Sequence, residues 1–310
     1  MSNNEPDGAF VFASLFSVIV GSIGIWLHSL NFKSIRKIDA LVIHNSLVLH
    51  YHLTLANLGV VVAFPFRSIY ALFNRFCLGT YGCQLYAVEG MTCGMTAILL
   101  ACTICIVHRF EVTKAWKLTR ASYHGLAMGA WAVGFIWAVL PLLGIGSYSI
   151  GPHQTACTLD ISRSDRKSLV FLLALTIFGY LIPVGSAILS LRVAWSTVVS
   201  SSDREKCIAG KLDVTLMEFL VQLVQPLWFV TRKEEARNPK NKLTERNRLA
   251  GQILFFTCLT WLPMGVLATC VMIFQNPNWS RWIYYVPQLL AKVGSALAPL
   301  AYSSTLRGYV

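Results

Sequence analysis

Two ionisable side chains stand where a hydrophobic sequence leaves little room for them. Lys292 lies in the apolar run LLAKVGSALAPLAYSS, residues 289–304, and Glu89 lies inside the run that follows Cys83. Charged groups at such depth are rare, face an interior, and mark a site with a partner. Three chemistries suit them. One is a Lys292–Glu89 ion pair with a structural role. The second is a charged pocket for a polar ligand. The third is covalent, because a desolvated lysine is a nucleophile that condenses with an aldehyde. The protonated imine so formed would need a counterion, which Glu89 would supply. Physics alone does not choose between the second and the third.

The elements that must position these groups are membrane spans. The chain has 310 residues, of which 55% are hydrophobic and 13% charged. A soluble domain carries about a quarter charged residues. A bilayer crossing takes about 20 apolar residues, and the sequence predicts seven, near 9–31, 40–64, 83–107, 124–147, 168–197, 250–275 and 282–305. The expected fold is therefore an all-α membrane protein, a single seven-helix bundle over 1–310.

Orientation follows from the basic residues. Loops one, three and five with the C-terminus carry 18 Lys and Arg, against 6 on the other side. Basic loops stay cytoplasmic, which puts the N-terminus outside. The net charge of +12 then serves orientation, and nucleic acid is not an expected partner. The start MSNNEPDGAF has acids where a cleavable signal would be basic. The spans fit a plasma membrane or an internal one equally, with lipid as the surrounding partner.

The loop at 198–249 is long and basic. Within 212–230, Leu212, Leu216, Phe219, Leu223 and Leu227 recur at helical spacing, so an interfacial amphipathic helix and a poorly structured insertion stand as equal readings of this segment. Of the nine cysteines, Cys83 and Cys157 fall on the outer side and suit a disulfide; Cys77 competes as a partner. Asn278-Trp279-Ser280 is an outer glycosylation sequon. His44, His50 and His52 do not share one helical face, and no metal site is expected.

Several spacings together resemble the opsin branch of the class A G-protein-coupled receptors, over essentially all seven spans. Lys292 precedes Pro299 by seven residues, as the retinal lysine precedes the proline of NPxxY, and Ala298-Pro299-Leu300-Ala301-Tyr302 is a variant of that motif. Thr260-Trp261-Leu262-Pro263 is similar to CWxP, Trp131 precedes Pro141 by ten residues, and span five holds Pro183. His108-Arg109-Phe110 stands where D/E-R-Y closes span three, and Cys83 and Cys157 match the family disulfide. Within opsins, Leu140-Pro141-Leu142-Leu143-Gly144 and Thr155-Ala156-Cys157-Thr158-Leu159-Asp160 look like the RGR, retinochrome and peropsin group.

That resemblance implies retinal, all-trans or 11-cis, bound covalently to Lys292 and photoisomerised from all-trans to 11-cis. Trp261, Tyr86 and Tyr285 would line the chromophore pocket, with Phe171, Phe178, Tyr180 and Tyr284 as further aromatic candidates. Tyr86 and Gly151 occupy the two usual counterion positions, so Glu89, six residues after Cys83, is the expected counterion. Asp160 and an unprotonated, ultraviolet-absorbing imine are the alternatives. His108, Arg109, Phe110, Pro299 and Tyr302 would form the switch that faces a heterotrimeric G protein. His108, Asn57 and Ala298 each replace a residue that receptor switches use, which favours retinal handling over signalling. A light-activated G-protein-coupled photoreceptor is the second reading, and a non-retinal receptor for a small ligand the third.

Overall fold

The computed structural model describes residues 8–42, 44–63, 79–114, 118–150, 157–161, 165–203, 239–274 and 281–302. Span one is α1 (Gly8–Val42), span two α2 (Leu47–Val62), span three α3 (Gly79–Lys114) and span four α4 (Arg120–Val139). Span five runs through α5 (Arg166–Ala174), a π-helical segment (Leu175–Leu181) and α6 (Ile182–Asp203). Span six is α7 (Pro239–Phe274) and span seven α8 (Arg281–Tyr302). Five of these helices are long and apolar enough to cross a membrane; α2 is shorter.

Helix ends follow local chemistry. Thr119 caps span four by accepting from Ser122 N at 3.2 Å, and Asp165 caps span five by accepting from Ser168 N at 3.2 Å. Each supplies an acceptor to an amide that the first helical turn leaves unpaired. Span four was expected to reach residue 147 but ends earlier. Pro141 opens a tight 3-10 turn over Leu140–Leu143, and Gly144 ends it with φ 82°. Gly144 N donates to Leu140 and Pro141 carbonyls, so the chain turns there at no cost in Cβ strain. Spans one and six, in contrast, extend well past the apolar runs, to Val42 and back to Pro239. Helix geometry continues into polar sequence that hydropathy alone assigns to loops.

Span three is central. Its Ile98, Leu100, Ala101 and Cys105 share one core with Leu49 and Leu53 of span two, Ala127 of span four, Leu191 of span five and Leu249 and Ile253 of span six. Large apolar side chains on the opposite faces point outward, as with Trp26, Phe135, Phe178 and Leu189. A helix bundle in lipid has no need to hide them. Over one end of the bundle lies an antiparallel pair, β1 (Tyr148–Ile150) and β2 (Cys157–Leu159), with Ser149 opposite Thr158.

Residues 212–230, Asn278 and Cys77 lie outside the described residues, as do the side chains of Tyr285 and Tyr302.

Candidate functional site

Beneath the strand pair the bundle forms a partly open cavity with an empty volume of about 1150 Å³, solvent-open space included. Spans two, three, five, six and seven all contribute to its wall. Lys292, Tyr86, Glu89 and Trp261, four residues singled out in the sequence, line it together. Gln288, one helical turn before Lys292, joins them. The rest is mostly apolar, with Met91, Met95, Ile98, Met264 and Leu172 prominent. A large apolar pocket with a few convergent polar groups is the usual form of a small-molecule site.

The polar groups gather at one side. Lys292 Nζ donates a hydrogen bond to the Tyr86 hydroxyl, and lies 4.8 Å from the centre of the Tyr86 ring. Glu89 sits one turn further along span three and takes a hydrogen bond from the Cys93 thiol. Its Oε2 is buried and has no hydrogen-bond partner among the described residues. A carboxylate oxygen left bare in this way costs free energy unless a donor reaches it.

The strands close the outer end. Cys83 and Cys157 form a disulfide with Cα atoms 5.2 Å apart, which ties β2 to the start of span three. Cys157, Thr158 and Leu159 of β2 face the cavity, as does Tyr148 of β1. The Tyr148 hydroxyl donates to the Ala138 carbonyl at 2.7 Å, and burial pushes its pKa up, so it stays a neutral donor. Trp261 is held from below by span three. A Cβ added to Gly94 would come within 2.9 Å of Trp261 Cζ3, so only glycine leaves the indole its place.

The other aromatic candidates divide. Tyr180 lines the cavity, carried there by the π-helical segment of span five. Phe171 packs instead on Trp137, ring centres 5.7 Å apart, and Phe178 is 61% exposed on the lipid side. Tyr284 packs with Leu267 and Val271 of span six. Spacing alone could not separate these, because periodicity does not say which face of a helix is turned to the cavity and which to lipid or to a neighbouring helix.

His108, Arg109 and Phe110 stand at the far end of span three. His108 is buried and hydrogen-bonds Asn247 of span six, while Arg109 lies 5.6 Å from the centre of the Phe110 ring. Glu111, Tyr123 and Arg246, which the sequence did not bring forward, form a hydrogen-bonded group beside them. Their positions in the chain are too far apart for any pattern to reveal the pairing. Pro299 is buried in span seven. The main-chain carbonyl it cannot pair with, that of Ser295, accepts from His28 Nε2 of span one at 2.9 Å.

Comparison with known proteins agrees with this architecture. The family model described as 7 transmembrane receptor (rhodopsin family) matches residues 44–302. Retinochrome of Todarodes pacificus is 24% identical over 253 residues, covering 80% of this chain and 75% of that protein. The GQ-coupled rhodopsin of Mizuhopecten yessoensis is 23% identical over 306 residues, covering 93% of this chain and 56% of that one. The crystal structure of squid rhodopsin superposes with a TM-score of 0.78 at 19% identity, covering 99% of this chain and 86% of that chain.

Proposed function

Because the chain belongs to the rhodopsin family of seven-transmembrane receptors, we propose that it is a retinal-binding opsin of the retinochrome, RGR and peropsin type. Lys292 carries the retinal as an imine, and the bundle directs its light-driven isomerisation from all-trans to 11-cis. The observation that carries this reading is the meeting of Lys292 and Glu89 in one largely apolar cavity.

The residues present fit the group. An amine stands at the polar side of a wall otherwise made of Met91, Met95, Met264 and Trp261. In the same cavity Glu89 Oε2 has no hydrogen-bond partner among the described residues, and a cation formed at Lys292 would give that carboxyl group a charge to face. Retinal supplies the photochemistry, absorption of light and rotation about a double bond. The chain does the rest. Lys292 would hold one end, Glu89 would face the positive charge there, and Trp261 with the methionines would limit which bond has room to rotate. The disulfide-anchored strands would cover the outer end of the site.

Expression with all-trans-retinal tests this directly. The expected result is a retinal adduct trapped by borohydride and absent from Lys292→Ala, with 11-cis-retinal extracted after illumination. No adduct under any condition would reject the opsin reading. An adduct whose isomer ratio is unchanged by light would reject the isomerase and leave a photoreceptor.

A light-activated receptor coupled to a heterotrimeric G protein is the second reading. What favours it is the hydrogen-bonded joint between spans three and six at His108–Asn247 and Glu111–Arg246, which lies at the end of span three where the receptor switch is expected. Light-dependent nucleotide exchange on a G protein is its test.

A further inference from the structure

Where span two meets span four, two histidines from distant parts of the chain come together. His52 Nε2 and His124 Nδ1 stand 3.3 Å apart, across 72 residues of sequence. The two rings are nearly perpendicular, at 84°. His52 is half-buried and His124 is exposed. Each lies within two turns of the start of its helix, near the boundary of the span and not in mid-membrane. Spacing compares His52 only with His44 and His50 on the same span, so the partner on span four gives no signal in the sequence.

The separation of the two nitrogens suits a metal better than a hydrogen bond. Hydrogen bonds from a ring N–H cluster at about 2.7–3.2 Å, and this contact lies just beyond. Zinc binds imidazole nitrogen at roughly 2.0–2.1 Å in a tetrahedron, whose edge is then about 3.3–3.4 Å. The two nitrogens already stand at that edge. Their tautomers are also free to suit a metal. His52 Nδ1 is buried and has no hydrogen-bond partner among the described residues, so no neighbour holds the proton on Nε2. The exposed ring of His124 can carry its proton on Nε2, toward water. Both facing nitrogens then present lone pairs, as neutral imidazole ligands do.

The surrounding charge tolerates a cation. Arg120 is four residues before His124 and so on the same helix face. Its guanidinium donates to both carboxylate oxygens of Asp39, at 3.0 and 2.7 Å, and its charge is thereby compensated. Among the described residues no third His, Cys, Asp or Glu completes a cluster of three, so water fills the remaining positions. Two nitrogen ligands select for the zinc, copper and nickel class, because magnesium and calcium prefer oxygen.

We infer that His52 and His124 form a two-histidine site for a zinc-class divalent cation, completed by water, which fastens span two to span four. Neither residue lines the cavity that holds Lys292. The site therefore stands whether or not the chain carries retinal. A cation bound there stabilises the folded bundle by mass action, because the unfolded chain does not hold the two rings together.

Thermal unfolding of the purified full chain, stripped with a chelator and without retinal, tests it. Added Zn²⁺ should raise the melting temperature, and the rise should keep growing with the logarithm of free Zn²⁺ once the site fills. Mg²⁺ should have no such effect. His52→Gln and His124→Gln should each raise the half-effective Zn²⁺ concentration at least about tenfold, the least that losing even a group that supports a ligand costs. His124→Gln alters an exposed side chain, so its metal-free melting temperature should stay near wild type, and it serves alone if His52→Gln does not fold. Cu²⁺ gives a direct reading: its paramagnetic resonance at one equivalent should show coupling to two nitrogens in wild type and should lose it in His124→Gln. No rise with Zn²⁺, a rise that Mg²⁺ matches, or a rise undiminished in the variants would overturn the site.

Discussion

Lys292 of span seven donates a hydrogen bond to the hydroxyl of Tyr86 of span three, 206 residues away in the chain. Tyr86 occupies the place, three residues after Cys83, where the opsin resemblance leads one to look for a carboxylate. A neutral oxygen therefore meets the amine first, and the carboxyl group of Glu89 stands one turn deeper in the same cavity. On the proposed reading the amine's hydrogen bond and its charge compensation would fall to two different residues, which makes them separable by mutation.

Tyr86→Phe removes the acceptor but keeps the ring. The amine loses one hydrogen bond, a cost of about 1 kcal/mol, while the lysine itself is untouched. The expected outcome is a slightly lower melting temperature of the retinal-free protein and a borohydride-trappable adduct that is still formed. Failure of Tyr86→Phe to form any adduct, with the fold intact, would give the tyrosine an essential part in attachment.

Glu89→Gln removes the charge without changing the shape. With no carboxylate in reach, a positive imine beside this apolar wall is disfavoured and gives up its proton. The absorption band at neutral pH should move to the ultraviolet. A visible band that stays where it was in wild type would remove Glu89 from the counterion role and direct attention to Asp160.

The readable part of this molecule is the part governed by local rules. Length, apolar runs and basic loops are enough for seven spans, and the spacing from Lys292 to Pro299 is enough for the family resemblance. Helix ends were less legible, because Pro141 and Gly144 stop span four within an apolar stretch whereas span six continues through polar residues back to Pro239. The cavity was half legible. Trp261, Tyr86 and Glu89 carry motif or charge signals, but Phe178 and Tyr180, two residues apart and so on opposite helix faces, turn to lipid and cavity respectively, and spacing does not say which of the two faces inward. Arg246 and Glu111, 135 residues apart, had no signal at all. Long-range pairings between helices depend on rotation and register, which periodicity does not specify.

Gly94→Ala tests how closely span three supports the indole. The new methyl would meet Trp261 Cζ3 at 2.9 Å and Cζ2 at 3.1 Å, distances that require the ring to move. Overpacking of this kind costs about 1–3 kcal/mol, and here it also reshapes the cavity. Thermal unfolding should show the loss and retinal affinity should fall. Trp261→Phe in the same background should return part of the stability; strictly additive effects would mean that the two residues do not press on each other.

His28 offers the sharpest test of long-range packing, because its role depends on a proline. Pro299 has no N–H, so the Ser295 carbonyl one turn earlier loses its main-chain donor. His28 Nε2 supplies one at 2.9 Å, from a side chain that is 0% exposed, next to a Ser295 that is 1% exposed. His28→Phe keeps the bulk and removes the donor, leaving a buried carbonyl bare at a cost of about 1–3 kcal/mol. Pro299→Ala restores a main-chain N–H to that carbonyl, so His28→Phe should cost markedly less in the Pro299→Ala background. The double-mutant cycle, read by thermal or denaturant unfolding, should therefore show coupling. Equal losses in both backgrounds would mean that His28 stabilises spans one and seven by packing, and that the carbonyl finds its donor elsewhere.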